Sequence, residues 1–125
     1  MFWHEPSHAW VMVVSVDNRV RFYSSPDLKT WKMTSEFGAD QGSHAAVWEC
    51  PDLFELPVEG SKETRWVLAL SIGNNSSTRG SAAQYFIGSF DGQTFKNGNE
   101  PSKVLWTDYG KRLLRRSVLL GYSAE

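Results

Sequence analysis

With 125 residues, of which 41% are apolar and six are Trp, the chain is long enough for one modest domain whose core needs neither disulfide nor metal. A formal net charge of −1, with Lys and Arg scattered among Asp and Glu, leaves no basic stripe or acidic tail, so neither nucleic acid nor a membrane surface is an expected partner. The single cysteine, Cys50, excludes an intramolecular disulfide and leaves the compartment undetermined, and no apolar run reaches the ~18 residues needed to span a bilayer.

The chain opens Met1-Phe-Trp-His-Glu-Pro, without the charged-then-apolar pattern of a secretory leader. His4-Glu5-Pro6-Ser7-His8 satisfies the H-E-x-x-H pattern of zinc proteases. That motif works only on a helix, where residues four apart share a face and both imidazoles reach one ion. Pro6 removes a helix N–H and disfavours helical geometry at Glu5, so a polar hairpin turn is predicted, with no metal and no cofactor.

Short β-rich runs then succeed one another: Trp10 to Val16, Arg19 to Ser24, Trp31 to Phe37, Asp52 to Leu56, Trp66 to Ile72, Gln84 to Phe90 and Lys103 to Thr107. Gly, Asn, Asp and Pro cluster between them, and nothing before Lys111 sustains helical periodicity over three turns. The fold class is all-β.

The chain also repeats itself. Ser25-Pro-Asp27-Leu-Lys-Thr30-Trp31 lines up with Ser89-Phe-Asp91-Gly-Gln-Thr94-Phe95 at an offset of 64 residues, and Trp10-Val-Met-Val-Val-Ser15 with Trp66-Val-Leu-Ala-Leu-Ser71 at 56. The eight extra residues are expected in the loop containing Asn74 to Arg79. Two copies of one antiparallel sheet are implied, about residues 2–47 and 52–111. Asp27 and Asp91 are read as structural, each accepting backbone N–H bonds inside a hairpin tip. Sheets of this length repeating about an axis are the signature of a β-propeller, and two blades cannot close a ring, so the chain reads as incomplete.

Trp48-Glu49-Cys50-Pro51-Asp52 is the segment that carries chemistry. A carboxylate between an indole and a thiol is expected in apolar surroundings, which would favour its protonated form and suit it to general acid work; a glutamate hydrogen-bonded at a strand edge is the bland alternative. Among the other aromatics, Trp3, Trp10, Trp31, Trp66 and Trp106 are read as strand residues of an inter-blade core, and Trp48 as either core or sugar platform. Asn74-Asn-Ser76 and Asn75-Ser-Ser77 fit glycosylation acceptors.

With Arg21-Phe-Tyr-Ser-Ser-Pro-Asp-Leu-Lys-Thr-Trp31 before it, and Leu53-Phe-Glu-Leu56 and Gln84-Tyr-Phe-Ile-Gly-Ser-Phe-Asp-Gly-Gln-Thr-Phe95 after it, this segment resembles glycoside hydrolase family 32. That family contains invertases, inulinases and levanases, and the resemblance covers residues 2–111. It implies about two blades of a five-bladed β-propeller with its active site in the axial funnel. By resemblance, Glu49 is the acid/base of a retaining β-fructosidase acting on sucrose, inulin or levan, while Trp48 and Cys50 lie beside the fructosyl site. The family's nucleophile belongs to a Trp-Met-Asn-Asp-Pro-Asn run, and its fructosyl-binding Asp to an Arg-Asp-Pro run. Neither is present, so the chain is expected to be an inactive internal piece, with Met1 an internal methionine. Two other functions fit the same residues: a propeller-derived carbohydrate-binding module without catalysis, and a five-bladed glycosidase acting on arabinan or xylan.

The last 14 residues depart from the family. After Trp106-Thr-Asp-Tyr-Gly-Lys111 the family continues Asp-Phe-Tyr-Ala-Ala and a Ser-aromatic-Ser-Asp-Ile-Pro run, whereas this chain continues Arg112-Leu-Leu-Arg-Arg-Ser-Val-Leu-Leu-Gly-Tyr-Ser-Ala-Glu125. Codons exist for these residues that, with one base deleted at Arg112, read Asp-Phe-Tyr-Ala-Ala-Val-Ser-Tyr-Ser-Asp-Ile-Pro-Gln. Residues 112–125 are therefore predicted to be a frameshifted tail.

Overall fold

The computed structural model describes residues 1–108, and the tail at 112–125 lies outside the described residues. Among the described residues nine β-strands run in chain order: β1 (Phe2–His4), β2 (Ala9–Val16), β3 (Arg19–Ser25), β4 (Lys32–Phe37), β5 (Trp48–Pro57), β6 (Thr64–Asn75), β7 (Gly80–Phe90), β8 (Phe95–Asn97) and β9 (Leu105–Asp108). They form two antiparallel sheets, β1-β2-β3-β4 and β5-β6-β7-β8, with β9 also paired to β7. Strands β8 and β9 share one edge of β7, against Gly88–Phe90 and Ala83–Tyr85 respectively.

The zinc-protease pattern folds as one 3-10 turn over Glu5–Ser7 joining β1 to β2. Pro6 sits in that turn, where its missing N–H costs nothing, and His8 closes it in the left-handed conformation. Among the described residues no group of three His, Cys, Asp or Glu side chains is placed to hold a metal ion.

The repeat seen in the sequence is a repeat of hairpins. Asp27 accepts the N–H groups of Lys29 (2.9 Å) and Thr30 (2.8 Å) in the β3–β4 turn, and Asp91 those of Gln93 (2.9 Å) and Thr94 (2.7 Å) in the β7–β8 turn. These bonds favour the charged carboxylate, so Asp27 is held below the usual carboxylate range by Thr30 and then Lys29, and Asp91 by Thr94 and then Gln93. The eight-residue insertion is not confined to a loop, as its composition implies. It lengthens strands as well, because β6 and β7 are 12 and 11 residues long where β2 and β3 are 8 and 7. Strand pairing satisfies the added backbone groups, which a long loop would leave to solvent. The turn that remains is closed by Asn75, whose Oδ1 accepts from Ser77 (3.0 Å) and Thr78 (3.2 Å).

One core lies between the sheets. Val11, Val20 and Phe22 from the first sheet, with Phe37, pack against Trp48, Leu53, Leu68, Leu70, Ile72, Phe86, Phe90 and Phe95 from the second. Aromatic pairs cross the seam: Phe22 to Phe90 at 5.5 Å between centroids, and Phe37 to Phe86 at 5.0 Å and to Phe95 at 5.1 Å, both edge-on. Offset and edge-on geometry places the positive ring edge against the negative face. The hydroxyls of Thr34 and Ser35 on β4 both donate to the Gln93 carbonyl at the β7–β8 tip, which fixes the sheets along a second line.

The tryptophans divide. Trp66 and Trp106 pack against the core. Trp3 is 40% exposed, because Phe2 and His4 take the inward face of β1 and alternation turns Trp3 outward. Trp31 precedes β4 rather than lying in it and donates its indole N–H to Leu28 O (3.2 Å).

Candidate active site

Strand β5 starts at Trp48, so the Trp-Glu-Cys-Pro-Asp segment belongs to the second sheet's first strand and does not link the sheets. The Trp48 N–H donates to Asp17 O (2.9 Å) in the β2–β3 turn, which ties the start of the strand to the first sheet. Glu49 then pairs with Ser71, but the next pairing is Asp52 with Ala69. Cys50 and Pro51 thus oppose one residue of β6, which is a β-bulge. Pro51 is tolerated there because a bulge leaves an N–H unpaired. Cys50 takes φ +49°, a left-handed conformation that non-glycine residues adopt at a cost of roughly 1–3 kcal/mol and that clusters at functional sites.

The bulge sets what is presented. Regular alternation would turn one of Glu49 and Cys50 inward, whereas both are exposed, and Trp48 is buried. The apolar surroundings expected for Glu49 are therefore not found in this chain. An axial funnel is enclosed by a full ring of blades, and two sheets leave the carboxylate on an open surface. Trp48 is core: it is 1% exposed, and a sugar platform needs an accessible ring face. Its indole N–H donates to Ser43 O (2.8 Å), and its ring packs on Phe86 (5.8 Å) and under His44 (5.0 Å). It backs the start of β5 from beneath.

The connection 38–47 between β4 and β5 folds over this indole because two glycines permit it. Gly38 has φ +119°, and a Cβ there would fall 2.7 Å from Trp48 Cη2. Gly42 has φ +66°, and a Cβ there would meet Gln84 Oε1 and Phe86 Cζ, each at 2.6 Å. Gln84, fully buried on β7, accepts the Ser43 N–H (2.9 Å) and donates Nε2 to Ser43 O (3.0 Å). Neither Gln84 nor Ser43 stands out in the sequence as a site residue. One signal was available: a Gln after Ala82-Ala83 and before Tyr85-Phe86 is a polar group in an apolar run, and such a group needs a partner.

Two clefts among the described residues lie away from Glu49. Volumes of about 430 and 610 Å³ are both lined by Glu55, Trp66 and Phe90. Glu55 is six residues further along β5, roughly 20 Å at the rise of an extended strand. A smaller cleft of about 260 Å³, lined by Asn18, Arg19, Ala39 and His44, neighbours the Trp48 end.

The model of the glycosyl hydrolases family 32 N-terminal domain matches residues 1–113. The chain belongs to this family. It is 55% identical over 112 residues to a levanase of Bacillus subtilis, covering 89% of the chain and 16% of the levanase. It is 42% identical over 119 residues to an extracellular exo-inulinase of Aspergillus ficuum, covering 88% and 22%. A solved fructofuranosidase of Schwanniomyces occidentalis, complexed with fructose, superposes with a TM-score of 0.80 at 39% identity, over 88% of this chain and 21% of that one. The chain thus spans about a fifth of the length of the relatives it matches. As a family 32 domain its fold is all-β, and its two sheets correspond to about two blades of a five-bladed propeller.

Proposed function

We propose that Glu49 is the acid/base of a retaining β-fructosidase that hydrolyses terminal fructosyl linkages in sucrose, inulin or levan. The observation that carries this reading is the bulge: in a chain of family 32, it holds an exposed carboxylate at the start of the blade's first strand, over a fixed indole. In the first half-reaction a carboxylate attacks the anomeric carbon of the fructosyl unit, and Glu49 gives its proton to the departing oxygen. In the second, the Glu49 carboxylate takes a proton from the water that displaces the enzyme carboxylate. The attacking carboxylate belongs to a sequence run that this chain does not contain, so the chain by itself releases no fructose. Cys50 lies beside the fructosyl unit as a neighbour in packing, and Trp48 acts from below by fixing the strand.

The test is a chimera in which residues 1–108 replace the matching segment of the Bacillus subtilis levanase. The chimera releases fructose from levan and sucrose, and Glu49→Gln lowers kcat/KM on both by ~10²–10⁴-fold, the usual contribution of general acid catalysis. On p-nitrophenyl β-D-fructofuranoside, whose leaving group departs without a proton, kcat/KM falls far less. Saccharide binding without hydrolysis in the unsubstituted chimera would favour a binding module instead.

A further inference from the structure

We infer that Gln84 is a positioning residue for acid/base catalysis, acting on Glu49 through Ser43 and Trp48; this rests on the assignment of Glu49 above. Gln84 is fully buried among Ala82, Ala83 and Phe86, where an amide is costly unless its donor and acceptor are both satisfied. Both are satisfied by one residue, since Oε1 accepts the Ser43 N–H (2.9 Å) and Nε2 donates to Ser43 O (3.0 Å). A side-chain amide that pairs both groups of one peptide residue behaves like a strand partner for a segment that has none.

The Ser43 carbonyl also accepts the Trp48 indole N–H (2.8 Å). The amide and the indole therefore converge on one oxygen, and the oxygen's position is set by Gln84. Three further restraints complete the clamp. Trp48 N–H is bonded to Asp17 O (2.9 Å), Gly42 N–H to Pro101 O (2.9 Å), and Asn97 Nδ2 to Gln41 Oε1 (2.9 Å). Gly42 must be glycine for the connection to reach Gln84, because a Cβ there would strike Oε1 itself.

The clamp ends at Trp48; Glu49 follows it, pairs with Ser71, and is the last ladder residue before the bulge at Cys50 and Pro51. A bulge is less constrained than a regular ladder, since two of its residues face one partner, so with the bulge following Glu49 its direction depends on how firmly the residue before it is held. Catalysis is more sensitive to this than folding is. A displacement of about 1 Å costs on the order of 10²-fold in rate, while loss of the two hydrogen bonds of one amide from an otherwise intact core leaves the fold in place.

The experiment uses the levanase chimera with Gln84→Met, which keeps the volume and removes both bonds, and Gln84→Glu, which in this buried place is held neutral and keeps an acceptor for Ser43 N–H and an O–H donor for Ser43 O. Since kcat/KM reports only the steps through departure of the leaving group, it is compared between sucrose and p-nitrophenyl β-D-fructofuranoside. The expected result is a fall of ~10–100-fold on sucrose, less than about 3-fold on the activated substrate, and a smaller loss for Glu than for Met. An equal loss on both substrates or failure of both variants to fold would make Gln84 a stability residue, and no loss on either would leave it without a part in catalysis; each overturns the inference with the role of Glu49 intact. If the unsubstituted chimera is inactive, or Glu49→Gln leaves sucrose hydrolysis unchanged, the assignment of Glu49 fails and takes the inference with it.

Discussion

Gly38→Ala measures how firmly the indole beneath Glu49 is held. The new Cβ would lie 2.7 Å from Trp48 Cη2, with Cζ3 closer still, and the ring cannot swing away without breaking its bond to Ser43 O (2.8 Å). Inserting a methyl group into a packed core costs about 1–3 kcal/mol. The backbone adds about 1–3 kcal/mol, because φ +119° is a conformation that L side chains avoid. Gly60→Ala is the internal control: φ there is +71° with nothing within 4 Å, so only the left-handed backbone cost of about 1–2 kcal/mol applies. Gly38→Ala is therefore the more destabilising by about 1–4 kcal/mol. At a denaturant slope of about 2 kcal/mol per molar urea, the midpoint for loss of fructose release from the levanase chimera falls about 0.5–2 M below that of the Gly60 variant. Equal midpoints would mean that the indole is not fixed over Gly38, and that β5 is positioned by something other than this contact.

Stability should also depend on the two hairpin tips. The Asp27 and Asp91 carboxyls are held below their ordinary range by backbone N–H bonds, so their contribution is complete above the unfolded carboxylate pKa and is lost as pH falls through the lowered folded one. Asp27→Asn and Asp91→Asn therefore flatten the acid limb of stability against pH, which acid titration of the unfolding midpoint reads directly. Phe22 and Phe90, 5.5 Å apart across the seam, should show a coupling of about 0.5–1.5 kcal/mol in a double-mutant cycle with Leu; additivity would mean that the sheets do not pack through this pair. The chain alone, with Trp3 40% and Met33 49% exposed, should self-associate in sedimentation and release no fructose from sucrose. Trp3→Lys with Met33→Lys shifts it toward monomer, and an active, monodisperse chain would contradict both expectations.

Most of the strands were legible because their signal is local. Alternation and β-branched runs between turn residues gave β2, β3, β4, β6 and β7 within a few residues, and the Ser-x-Asp-x-x-Thr-aromatic repeat gave both hairpin tips, because an Asx turn is made by the residues that encode it. Strands β1 and β8, three residues each, are too short to show a period and exist by pairing with longer neighbours. The bulge at Cys50 was not legible, since it is defined by Ala69 and Ser71 on another strand. For the same reason Trp48 could be read as core or platform, and only the cover supplied by Gly38, Ser43 and Phe86 decides between them. Glu49 was singled out by its neighbours in sequence, and the residues packed beneath it were not, because they come together only through the connection 38–47 and β7.

The most direct test of the role given to Glu49 is azide rescue of the chimera carrying Glu49→Ala. With p-nitrophenyl β-D-fructofuranoside, leaving-group departure needs no proton, but the fructosyl-enzyme then waits for a base that is absent. Azide needs no base and fits the space vacated by the side chain. Azide is expected to raise kcat at least about 10-fold, a part of the ~10²–10⁴-fold contribution of general base catalysis, and to give a fructosyl azide of retained β configuration. Turnover indifferent to azide, with fructose as the sole product, would contradict the assignment of Glu49 as the acid/base.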